Sequence, residues 1–260
     1  MQTDVVFVVG DHLAGRSQSA GMVALSRLEA LLDSGDLASD PPPTIVPGQG
    51  IEEYEREILR RALRRHGLPE SLLMDVAPPA PMHHADVHKR DPDNVLVAGL
   101  RQIADDRFEA ALRISDRQEM LLDHRTGSHI SGMVITEAVR QMALAVGERH
   151  LLTPSPTRRR FILNSLQTSF HRFLLPLPTR LEFTLEEVRH KGPNRVRYTG
   201  RCDLLQADVL AASGSTDMVV MDESRADEIE ARQIREVTHA LAGLQESSAL
   251  QESREYAPTS

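Results

Sequence analysis

Tryptophan is absent from this 260-residue chain, and Phe, Tyr and Trp together make up only 3% of it. Its core must therefore be packed with aliphatic side chains. Cysteine occurs once, at Cys202. A lone thiol cannot close an internal disulfide, so a reducing compartment is expected, and Cys202 itself reads as a small core residue on a strand. No run of about 20 apolar residues exists, which excludes a membrane-spanning helix. Positive charge is also short: the net charge is −8, which argues against a general nucleic-acid surface. The opening MQTDVVFVVGD has no basic stretch before its apolar run, and it reads as a strand rather than a leader. The expectation is a cytoplasmic protein with no membrane and no nucleic-acid partner.

Against that background the chain reads as four regions. Residues 1–81 form an α/β extension. In it Val5–Val9 is a β-branched strand, Met22–Leu32 has helical spacing, and Ile51–Arg65 is a helix with Ile51, Tyr54, Ile58 and Leu59 on its apolar face. Pro78, Pro79 and Pro81 close the region. Glycine spacing in GDHLAG, near Gly10, does not fit a dinucleotide loop. Residues 82–222 form the main domain, residues 223–245 a helix, and residues 246–260 a polar, disordered tail.

Within the main domain, Asn94–Leu100 and Arg107–Ile114 read as strands around a turn at Asp105–Asp106. A long helix follows, over Gly132–Leu151, and then four strands: Phe161–Phe173, Thr179–Arg189, one with strict alternation, and Asp208–Met221. In the alternating strand Val196, Tyr198, Gly200, Cys202 and Leu204 face one way. Its preceding hairpin turn is Lys191–Asn194. A helix apolar on most of its circumference must be surrounded. The predicted fold is therefore α+β, a curved antiparallel sheet wrapped around one long helix, the hotdog arrangement.

Candidate chemistry concentrates in DHRTGSHISGMVITEAVRQ, Asp123–Gln141. His124 and His129 lie in a polar loop ahead of the helix, and Glu137, Arg140 and Gln141 sit inside it. Glu137 and Arg140 are three apart and Glu137 and Gln141 four apart, so they share a face. Two roles stay open for Glu137: a surface ion pair, or a desolvated acid with a raised pKa suited to proton transfer. Arg140 would bind a phosphate or fix the carboxylate. Ser131, Gly132 and Met133 mark the helix start, whose N–H groups would polarise a carbonyl; capping by Ser131 is the plainer role. A metal held by His124, His129 and Glu137 matches no standard ligand spacing, and no metal is expected. His83, His84 and His88 form a second cluster, read as a solvated linker. Arg158–Arg160 is a basic run, either a solvated turn or a contact for an acidic carrier protein.

These residues resemble a known family. DHRTGSHISGMVITEAVRQM is similar to the DH…DH-V-P-G-M-x-x-x-E-A-x-R-Q signature of the A-factor biosynthesis hotdog proteins, with Ser131 where the family has Pro. The upstream VHKRDPDNVLVAGL and downstream LNSLQTSFHRFLLPLPTRLEF fit the same family, so the likeness covers Val87–Val220. It implies transfer of a β-ketoacyl group from acyl carrier protein, or acyl-CoA, to a small hydroxyl such as that of dihydroxyacetone phosphate, in γ-butyrolactone-type signal or secondary-metabolite biosynthesis. The family Glu, Arg and Gln fall on Glu137, Arg140 and Gln141, and its histidines on His124 and His129. No resident cofactor is implied beyond the phosphopantetheine that carries the acyl chain. Only one hotdog repeat is visible, which implies a homodimer. Two alternatives stand beside this reading: a 3-hydroxyacyl-thioester dehydratase, with a histidine as base and Glu137 as acid, and a non-catalytic hotdog that binds an acyl ligand or a partner.

Overall fold

The description rests on a computed structural model and covers residues 5–15, 21–35, 41–74, 77–123, 127–153, 157–192 and 195–255, with the side chains of 123 and 245–255 left out. The chain divides into two units. The first comprises Met1–Thr153, Leu163–Val188 and Tyr198–Met218; the second comprises Pro154–Ile162, Arg189–Arg197 and Val219–Ser260. The boundary expected at residue 81 falls inside the first unit.

The first unit opens with a small parallel sheet. Strands β1 (Val5–Val9), β2 (Met22–Ala24) and β3 (Thr44–Pro47) lie in the order β2-β1-β3. Met22 is thus in a strand, not in the expected helix, and helix α1 begins only at Leu25 and ends at Ser34. The spacing of Met22 with Leu25, Leu28 and Leu32 runs on without a break because β2 leads directly into α1. Helix α2 spans Glu53–Arg65 and starts with a capping box in which the Glu52 carboxylate accepts from the backbone of Glu55 and the Glu55 carboxylate from the backbone of Glu52. Its buried face is Arg56, Leu59, Ala62 and Leu63. Tyr54, expected on that face, is exposed, since Leu59, Ala62 and Leu63 centre the buried stripe on the far side of the helix from it. Leu28, Ile45, Leu59 and Leu63 close one aliphatic cluster.

The second sheet has six strands. They are β4 (Val97–Ala104), β5 (Arg107–Leu112), β6 (Arg159–Phe170), β7 (Arg180–His190), β8 (Val196–Gln206) and β9 (Val209–Asp222), in the order β4-β5-β7-β8-β9-β6. Asn94, expected at the head of β4, instead belongs to a short 3₁₀ turn, Pro92–Asn94. Strand β8 buries Val196, Tyr198, Gly200, Cys202 and Leu204 as its alternation requires. Burial also pushes the Cys202 thiol pKa up, which keeps it protonated. The β8–β9 hairpin turns on Ala207 and Asp208, both at positive φ, the geometry of a type I′ turn. The expected turn at Lys191–Asn194 lies partly outside the described residues.

A short helix α3 (Glu119–Asp123) precedes the central helix α4, which spans Gly132–Val146 and passes into a π-helical turn over Gly147–Leu151. Residues from Gln141 to Val146 are buried on every side. Tyr198 from β8 donates its hydroxyl to the Ala143 carbonyl at 2.9 Å. On β9, Gly214 approaches so closely that a Cβ there would meet Val139 at 2.7 Å. Sheet and enclosed helix together make the hotdog.

The second unit holds the ends of the long strands and helix α5 (Glu223–Glu255). This helix runs through residues 246–255, which had been expected to be disordered. Arg160 pairs with Asp227 at 2.8 Å and with Glu230 at 3.1 Å, so its charge is engaged by α5. No helix is long and apolar enough to cross a membrane among the described residues.

Candidate functional site

Glu137 occupies the open side of α4. Arg140, one turn on, grips it with both prongs: Nε donates to Oε2 and Nη2 to Oε1, each at 2.7 Å. Lys89 adds an ammonium 2.6 Å from Oε1, and the Gln141 amide donates to the same oxygen at 3.0 Å. The carboxylate side chain is only 14% exposed. Its burial pushes the pKa up, yet the hydrogen bonds and charges of Arg140 and Lys89, helped by Gln141, outweigh that and hold it at about 2. The sequence argument expected a raised value; the correction comes from the two cations. Arg140 and Lys89 therefore favour the ionised form of Glu137 at neutral pH.

Gln141 was expected to touch substrate. It is fully buried. Its Oε1 accepts from the Leu96 backbone at 2.8 Å and its Nε2 donates to the Asn94 carbonyl at 2.9 Å. It fastens the segment leading into β4 to the central helix, a structural task. Lys89, which sequence reasoning did not single out, reaches Glu137 from the same upstream segment; the only signal for it was its place in VHKRDPDN.

The helix start lies beside a cavity of about 390 Å³, lined by Ser131, Gly132, Met133, Thr136, Leu166, Thr168 and Phe170. Ser131 Oγ accepts from the Val134 N–H at 3.4 Å, so the capping role is real. Met133 is 68% exposed. A Cβ on Gly132 would stand 3.0 Å from the Phe170 ring, so glycine is what lets that ring lie over the helix start. Thr168 Oγ1 is buried and has no hydrogen-bond partner among the described residues. A buried hydroxyl left in this way is costly unless a ligand satisfies it. Thr168 and Phe170 escaped the sequence reading because β6 has no clean alternation to mark which side chains face the helix.

His129 stacks at 4.7 Å on Phe173, itself largely exposed. His124 lies outside the described residues. Of the linker histidines, His83 and His88 are exposed as expected, His88 meeting Glu148 at 3.1 Å, while His84 is half-buried and its Nδ1 bonds the Lys89 carbonyl at 2.9 Å. No cluster able to hold a metal ion occurs among the described residues. A larger cavity, about 880 Å³, lies elsewhere, where β3 and the start of α2 face β4 and β5. Neither Glu137 nor Arg140 lines either cavity.

A hotdog whose helix opens with Ser-Gly-Met and carries Glu-Ala-Val-Arg-Gln defines the class. The model of the A-factor biosynthesis hotdog domain matches residues 74–222, and the chain belongs to that family. No curated protein matches it. Among solved structures, the chain is similar to a conserved protein of Pseudomonas aeruginosa, with 17% identity over 47% of this chain and 86% of that one, TM-score 0.33. A phenylacetic acid degradation-related protein of Ralstonia eutropha gives 16% identity over 46% and 82%, TM-score 0.34. A thioesterase of Haemophilus influenzae gives 14% over 48% and 78%, TM-score 0.33.

Proposed function

We propose that this chain is an acyl-thioester enzyme that moves a β-ketoacyl group from acyl carrier protein to a small phosphorylated alcohol, of the dihydroxyacetone phosphate kind, in γ-butyrolactone-type signal or secondary-metabolite biosynthesis. The observation that carries the reading is the cavity at the helix start, in a chain whose family match spans the same helix. The first N–H groups of an α-helix lack partners within it and carry partial positive charge. A thioester carbonyl seated there is polarised as it becomes an oxyanion. Thr168 supplies a hydroxyl to the same cavity.

In this reaction the acceptor oxygen attacks the thioester carbon and the C–S bond breaks. The hydroxyl proton passes to a base, which returns it to the departing carrier thiolate. His129 is the described residue suited to that base. Lys89 and Arg140, held by Glu137 beyond the lining of that cavity, are the cations we assign to the acceptor's phosphate. The depressed pKa of Glu137 speaks against the dehydratase alternative, which needs that residue as an acid.

The working unit we propose is a homodimer. Strand β6 ends the six-stranded order, and an edge strand carries unpaired backbone groups. Leu163, Phe170, Phe173 and Met133 are all exposed there or close by. A second copy would cover them. The deciding experiment gives the purified protein β-ketoacyl carrier protein with and without dihydroxyacetone phosphate, and follows products by mass spectrometry. Acceptor-dependent ester formation supports the proposal; hydrolysis alone, or water loss from a 3-hydroxyacyl substrate, would overturn it.

A further inference from the structure

The larger cavity has no part in the chemistry just described. It measures about 880 Å³, within the roughly 300–1,000 Å³ typical of small-molecule sites. Two structures of different origin wall it. From the extension come Val46, Ile51 and Met74, with Pro79 from the proline segment; from the hotdog sheet come Ala111 on β5 and Leu205 on β8. Most of the charged groups along it are paired across the wall: Arg101 with Glu109 at 2.6 Å, Arg113 with Glu52, and Arg180 with Asp208 at 3.1 Å.

Arg56 is engaged as well, and it lies deeper. It belongs to the buried face of α2, is 6% exposed, and lines the cavity. A guanidinium keeps its charge at any pH a protein survives, and it carries five N–H donors, more than one carboxylate can occupy. An apolar chamber with a buried guanidinium in its wall is complementary to an amphipathic anion, with its chain in the aliphatic part and its charged end on the arginine.

We propose that this cavity is a second ligand site, separate from the helix-start cavity, and that it binds an aliphatic carboxylate through Arg56. The proposal does not depend on the acyl-transfer reading, because its test measures binding alone.

The test titrates the full chain by calorimetry with octanoate, with octanol as a neutral analogue and with octyl phosphate as the alternative anion. One octanoate is expected per chain, together with a raised melting temperature, and octanol should bind at least about tenfold more weakly. Arg56→Met should weaken octanoate by about tenfold or more while leaving octanol unchanged. Ala111→Leu fills the chamber from the sheet side and keeps the arginine, so it should weaken both ligands; circular dichroism of the unliganded variants shows whether each is folded. Equal binding of octanoate and octanol, unchanged octanoate affinity in a folded Arg56→Met, or no saturable binding would overturn the proposal. Preference for octyl phosphate over octanoate would overturn the carboxylate assignment.

Discussion

Arg140 holds Glu137 in a two-pronged grip at 2.7 Å while Lys89 closes on the same carboxylate from another segment at 2.6 Å. Two cations on one largely buried acid make that acid a point of assembly. With its folded pKa near 2, below the ordinary 4.5, the group contributes stability above the unfolded value, and this is lost as pH falls through about 2. Glu137→Gln should cost roughly 1–3 kcal/mol at neutral pH and flatten the acid limb of the stability curve between about pH 5 and pH 2. Chemical denaturation across that pH range checks it. An unchanged acid limb would mean that the cations do not hold the carboxylate.

Gln141 offers a sharper stability test. Replacing it with Leu keeps the bulk but leaves the Leu96 N–H and the Asn94 carbonyl without their buried partners. The expected loss is about 2–4 kcal/mol, read as a lower urea midpoint with an unchanged slope.

Thr168→Val separates activity from folding. It removes a buried hydroxyl that has no hydrogen-bond partner among the described residues, so stability should hold or rise by about 1 kcal/mol. If the hydroxyl steadies the thioester, kcat/KM should fall by about tenfold in the acyl-transfer assay, a loss of about 1.4 kcal/mol in transition-state binding. A variant with full activity would remove Thr168 from the site.

Gly200→Ala tests the sheet's packing. The new Cβ would sit 2.3 Å from Phe183 Cζ and 3.0 Å from the Thr184 carbonyl. Phe183 is fully buried and has little room to yield. A cost of about 1–3 kcal/mol is expected from thermal or urea unfolding, with the fold retained.

What could be seen in the sequence was whatever had a period or a contiguous motif. The alternation from Val196 to Leu204 located β8 and its buried face. The apolar run after Gly132 located α4, and the Ser-Gly-Met to Gln141 string carried the family resemblance, which the match over 74–222 bears out. What stayed hidden depended on partners far along the chain. The state of Glu137 is set by Arg140, which helix spacing does show, together with Lys89, which no helix-spacing argument can bring to it. Gln141 looked available because its partners at Asn94 and Leu96 belong to another segment. Strand β2 was concealed because Met22, its first residue, prolongs the helical spacing of Leu25, Leu28 and Leu32.

Gln49, two residues past β3, is buried, and its side chain accepts from the Ile114 N–H at 2.7 Å and donates to the Leu112 carbonyl at 3.0 Å. The backbone of Gly50 adds a bond to the Ile114 carbonyl at 2.8 Å. The leading segment is therefore sewn to a strand made much later in synthesis. On the ribosome it must wait, its seam open, until residue 114 has emerged, and a chain trimmed to begin at residue 82 would keep the torn side of that seam.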